Sequence, residues 1–188
     1  MQHNSNGGIH FITFTCYKWK PLFEITDSYD AVYKWFDHLC GKGASVMGYV
    51  IMPNHLHALI HFPSQMKTLN TIIGNAKRFM AYEIIKRLEQ QKAEPLLQEL
   101  YHGVKQKERK KGQRHKVFEE SFDAKECYSP EFIEQKLLYM HHNPVKGKWN
   151  LVSDFGLYKH SSAGFYYATA SNAYKLLTRA EDIKAGVM

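Results

Sequence analysis

The chain has 188 residues, 44% of them hydrophobic, with a formal net charge of +7 and a pI near 9.2. That apolar content suits one folded core with embellishments and excludes a wholly disordered chain, and no apolar run approaches bilayer-spanning length. The cationic surplus admits a polyanionic partner without naming one.

Cys16, Cys40 and Cys127 are odd in number, far apart and without a CxxC, the pattern of free thiols in a reducing compartment. The opening MQHNSNGG lacks the apolar run of a signal peptide, so a cytoplasmic location is expected.

In chain order, residues 9–17 (IHFITFTCY) are dense in β-branched and aromatic side chains and predict a strand buried on both faces. Thr26 or Asp27 can cap a following helix with Val32, Phe36, Leu39 and Cys40 at helical spacing, stopped by Gly41 and Gly43. Residues 45–52 and 55–62 predict a hairpin joined at Pro53-Asn54. A second helix is predicted from Thr68, with Leu69, Ile72, Ile73, Ala76, Phe79 and Met80 on one face and Lys77, Arg78, Lys86 and Arg87 on the other.

A basic insert covers about residues 91–116, followed by a strand-like VFEESF (117–122). Ser129-Pro130-Glu131 is a helix start: a capping hydroxyl, proline at the first position and an early acid. Pro144 ends that helix near Asn143. The order strand, helix, strand, strand, helix, strand, extra helix is an α+β, ferredoxin-like split βαβ pattern. Its antiparallel sheet has helices on one face and the first and third strands at its centre. Residues 1–165 are expected to form one domain, and 166–188 a C-terminal tail packed on it or extending from it.

His55 and His57 carry the most chemical information. Period-2 geometry puts both imidazoles on one face and Leu56, Ala58, Ile60 and Phe62 on the other. Neutral imidazoles about 7 Å apart along a strand can close on one divalent ion. Taken alone, an HxH pair is more often solvated or hydrogen-bonded than metal-binding.

On the later helix, Ile133, Leu137 and Met140 form an apolar stripe, and Tyr139 projects about 100° from its centre. Phe132, Lys136 and Asn143 share that flank, at the border of core and solvent. His142 points nearly opposite the stripe, which favours Asn143 over His142 as a third ligand. The run from Lys105 to Lys116 holds seven Lys and Arg against one Glu, including Lys110, Lys111, Arg114 and Lys116. Such a run is usually solvated, and it becomes a phosphate contact if the protein handles DNA. Tyr158 and Phe165 could stack on bases, although burial is their commoner use.

VIMPNHLHALIHF, LLYMHHNPVKGKWNLV and YKHSSAGFYY together resemble the HUH single-tyrosine transposases of small bacterial insertion sequences. They are most similar to the REP-associated tyrosine transposases. The resemblance runs from the first strand to about Tyr167. It implies an HUH endonuclease fold with an extra tyrosine-bearing helix, His55 and His57 as metal ligands, and Tyr139 as nucleophile. Asn143 stands where the family's amide completes the metal site, and Lys146 where a basic residue follows Asn-Pro-Val.

The implied activity is a metal-dependent single-strand DNA endonuclease and strand transferase acting on hairpin-containing DNA through a 5′-phosphotyrosine. Lys77, Arg78, Lys136, Lys146 and the insert cations are the expected DNA contacts. An amide oxygen beside phosphate oxygens favours Mg²⁺ or Mn²⁺ over Zn²⁺. No membrane partner is expected, and a homodimer is open. Metal binding by ordinary imidazoles predicts activity falling below about pH 6. The runner-up is a non-cleaving DNA-binding or regulatory module that keeps the fold. Third is a metal-dependent hydrolase using water and not needing Tyr139.

Overall fold

The computed structural model describes residues 7–169, 174–179 and 182–183. Strands β1 (Gly8–Thr15), β2 (Ser45–Met52), β3 (His55–Phe62) and β4 (Asp123–Glu126) form one antiparallel sheet in the order β2-β3-β1-β4. The first and third strands are central, as the element order requires. The α-helices are α1 (Leu22–Ile25), α2 (Tyr29–Cys40), α3 (Leu69–Gln90), α4 (Glu94–His102), α5 (Gln106–Arg109), α6 (Pro130–His141) and α7 (Ala163–Tyr167), with short 3-10 turns at Tyr17–Trp19, Asn143–Val145 and Phe155–Leu157.

Alternation along β3 divides the core into two layers. Leu56, Ala58, Ile60 and Phe62 pack with Val32, Phe36 and Leu39 of α2 and with Ile73, Ala76 and Met80 of α3. Leu59, on the opposite face, joins Phe11, Val50 and Met52 beneath Ile133 and Met140 of α6. The histidine face of the sheet is therefore the face that α6 covers.

Two devices seat α6. The Ser129 hydroxyl accepts the Phe132 N–H at 3.3 Å, and Pro130 follows at the first helical position. Such a cap stabilises a helix by about 1 kcal/mol. At Gly48, where β2 shifts register, a Cβ would lie 2.5 Å from Leu137 Cδ2 and 3.1 Å from Met140 Cε. Any side chain there would push the ends of Leu137 and Met140 aside, so the glycine lets α6 lie close on the sheet. The far end is held by His141, whose Nε2 donates to Ser162 Oγ at 2.8 Å, while that hydroxyl donates to Tyr49 O.

Several expectations need correction. The helix α2 starts after Ser28, because the Thr26 hydroxyl is occupied with Leu22 O and Ser28 Oγ and Asp27 adopts φ 46°. The fourth strand is 123–126, not 117–122. Phe118 makes one bridge to Cys16 and turns its ring edge-on into Phe14 at 5.4 Å, filling the core. Lys77 Nζ donates to the carbonyls of Glu119, Glu120 and Ser121, curling that stretch out of the ladder.

Phe79, expected on the buried face of α3, is exposed beneath the Arg78 guanidinium. The insert is not featureless either. Leu97 and Leu100 bury one side of α4, and Lys116 is 4% exposed and paired with Glu108 at 3.4 Å. The division placed after residue 165 falls inside α7. Beyond it, Tyr174 packs against Phe36 and donates its hydroxyl to Asp37 at 2.8 Å, and Leu177 bridges to Val46.

Candidate active site

The β2–β3 turn sets the first ligand. Asn54 is fully buried, its Nδ2 donating to Trp19 O at 3.1 Å, which turns its Oδ1 toward His55. His55 Nδ1 donates to that oxygen at 2.7 Å, leaving Nε2 as the free lone pair. One step along the strand, His57 Nδ1 pairs with Thr13 Oγ1 at 2.7 Å, and Thr13 is the residue directly opposite it on β1. Each imidazole thus has its Nδ1 engaged by a fixed partner, the arrangement that orients histidine metal ligands. The two ring centroids are 4.8 Å apart.

The helix α6 brings the second half of the site. The Tyr139 ring lies 5.4 Å from the His57 ring and 6.0 Å, edge-on, from Phe11, and half of the residue stays exposed. Asn143 sits just past the helix in a 3-10 turn, Asn143–Val145, and its Nδ2 donates to Tyr139 O at 3.0 Å. That leaves its amide oxygen unused by this bond, and Asn143 lies near enough to His55 to pull its pKa upward.

His142 is elsewhere, bonded to Leu138 O and tilted against Phe155 with ring centroids 4.3 Å apart. The ammonium of Lys136 lies 5.9 Å from the Tyr139 ring, 5.4 Å from Phe11 and 4.7 Å from Phe132.

Burial governs the charge state. It pushes His55 down to about 4, against a smaller upward pull from Asn143. It pushes His57 down to about 3, helped by His55 and Lys136 nearby. Both rings are neutral at pH 7, the form that binds metal. Among the described residues, no three His, Cys, Asp or Glu side chains gather into a ligand set. Two imidazoles and one amide oxygen fit a divalent ion that completes its shell with phosphate and water oxygens.

The other expected contacts are scattered. Lys146 is exposed and its N–H bonds Asn143 O at 3.2 Å, so it lies beside the site. Lys110, Lys111 and Arg114 are exposed on the segment after α5. Arg78 is exposed on α3, the helix packed on the opposite layer. Lys77 and Lys116 are not available to DNA as expected, since the carbonyls of 119–121 and Glu108 occupy their ammonium groups. Sequence reasoning missed Thr13 and Asn54. An amide directly before the HxH was a visible signal for Asn54, whereas Thr13 needs the β1–β3 register.

Residues 3–104 match the family described as Transposase IS200 like, more than half of the chain. The chain belongs to the IS200-like transposase family. Membership makes it a transposase-family enzyme, of the class that nicks and rejoins DNA, and metal dependence is general in that family. The matched stretch contains His55 and His57 and ends before Tyr139. A solved structure of a REP-associated tyrosine transposase bound to a REP hairpin is similar in fold, with a TM-score of 0.56 at 14% identity, over 96% of this chain and 87% of that one. No curated protein matches the chain. No helix among the described residues is long and apolar enough to cross a membrane.

Proposed function

We propose that this transposase-family chain cleaves and rejoins single-stranded DNA beside a hairpin, with Tyr139 as nucleophile and with His55, His57 and Asn143 holding Mg²⁺ or Mn²⁺. The observation that carries the reading is the convergence of the Tyr139 ring on His57, 5.4 Å away, with Asn143 one turn on beside His55. A hairpin substrate is supported by the similar protein whose solved structure holds one.

The Tyr139 oxygen attacks the phosphorus in line and loses its proton. The bond from phosphorus to the 3′ oxygen breaks, and that oxygen leaves as a 3′-hydroxyl after taking a proton. A 5′-phosphotyrosine remains on the protein and conserves the ester bond, so a 3′-hydroxyl can reverse the step without ATP. A bound divalent ion supplies positive charge that polarises the scissile phosphate. The Lys136 ammonium beside the Tyr139 ring favours both the attacking oxygen and the phosphate it approaches. Phe11 meets the tyrosine ring edge-on at 6.0 Å and limits its freedom to turn. Lys146, Lys110, Lys111 and Arg114 are exposed cations suited to the DNA backbone.

The test is a denaturing gel of the chain incubated with labelled hairpin DNA and Mn²⁺. A covalent adduct is expected that Tyr139→Phe abolishes while DNA binding stays within a few-fold, because only one oxygen is removed. An adduct that survives the substitution moves the nucleophile elsewhere. DNA binding without any adduct establishes the non-cleaving module in its place.

A further inference from the structure

A large aromatic side chain stands mostly exposed beside the histidines of this site. Trp19 is 59% exposed, and its indole lies 6.0 Å from the His55 ring in an edge orientation. The backbone holding it is held in an unusual form: Lys18 has φ 51° and ψ 33°, and Trp19 has φ 57°, both left-handed and neither glycine. A non-glycine residue in that region costs about 1 kcal/mol or more, and such strain persists only where surrounding bonds impose it.

Those bonds are present. Trp19 N–H donates to Cys16 O at 3.0 Å, Trp19 O accepts from Asn54 Nδ2, and Lys18 N–H donates to Glu119 Oε1 at 2.8 Å. The loop is therefore tied to the same amide that orients His55, while the indole is left in solvent. Burying a tryptophan is ordinarily favourable, so a rigid loop that withholds one from the core beside a reaction centre calls for a ligand with an apolar flat face.

We propose that the Trp19 indole is the stacking platform for the base of the nucleotide that flanks the scissile phosphate on the His55 side. This rests on the proposed function, and it names a residue that selects how the strand lies and not one that does chemistry. A nucleobase supplies the flat face, and stacking tolerates any base, so Trp19 fixes the position of the strand without reading its sequence. Next to it, Lys18 pairs with Glu99 at 3.6 Å, so the platform is the indole alone.

The experiment uses the Tyr139→Phe chain, so that binding is read without cleavage, and hairpin DNA with single-stranded flanks followed by fluorescence anisotropy. Each flanking nucleotide is replaced in turn by an abasic one, with and without Trp19→Ala. One abasic position should weaken binding by about 10-fold, Trp19→Ala should weaken it by a similar factor, and the two together should cost no more than either. Trp19→Phe should keep most of the affinity.

Mn²⁺ affinity should be unchanged in Trp19→Ala, since the carbonyl that holds Asn54 remains. Unchanged DNA affinity in Trp19→Ala, or abasic penalties indifferent to it, overturns the proposal. So does a loss of Mn²⁺ binding without coupling to any nucleotide, which would make the loop a support for His55 alone. Coupling observed in a chain whose Tyr139 form yields no adduct leaves the stacking intact and sinks the cleavage reading.

Discussion

A histidine whose Nδ1 proton is held by a fixed oxygen has only one nitrogen to offer a ligand. Asn54 imposes this on His55, and the partner of His57 is Thr13. Burial then keeps both rings neutral well below the ordinary histidine range. The expected loss of metal binding below about pH 6 therefore moves to lower pH. Mn²⁺ affinity at pH 5.5 should lie within about two-fold of that at pH 7.5, by calorimetric titration. A ten-fold fall at pH 5.5 would show the rings titrating as exposed histidines do.

The same shifts carry a cost in acid. With folded values of about 4 and 3 against an unfolded value near 6.5, the unfolded chain binds more protons below pH 6.5. Stability conferred by the neutral rings is complete above that pH and drains away as pH falls through 4 toward 3.

At the scale of elements, the parts legible in the sequence are those whose signals are local. The β2–β3 hairpin follows from alternation around Pro53-Asn54, and the start of α6 from Ser129-Pro130. The flank shared by Lys136, Tyr139 and Asn143 is helical arithmetic, and the structure brings those residues together. What escaped depends on distant partners. The position of β4 is decided by its pairing with β1 and by Lys77 drawing three carbonyls away from the sheet. Thr13 and Trp19 acquire roles only through tertiary contacts with His57 and Asn54.

Lys116 belongs to the same lesson, because its neighbours in sequence are solvated while it is buried against Glu108. Of the four insert cations expected at DNA, Lys110, Lys111 and Arg114 remain exposed to meet phosphate. Replacing those three with Ser should lower the slope of log affinity against log salt by roughly 2, at about 0.7 per contact on a single strand. Saturating DNA should restore the adduct-forming rate. A wild-type salt slope in the triple variant would return the segment to plain solvation.

Across the whole molecule, the tyrosine helix rests on the sheet of its own chain, pressed against β2 at the one position that has no side chain. That seat sets Tyr139 beside the His57 of its own chain, 5.4 Å between rings. A mixture of Tyr139→Phe and His57→Ala chains should form no more adduct than the two measured apart, since neither can lend the other its intact half. Adduct reappearing on mixing would mean that helices are exchanged between copies. If the centre is self-contained, cleavage is first order in protein and indifferent to dilution: each molecule that meets its DNA is already a complete catalyst, however few others surround it.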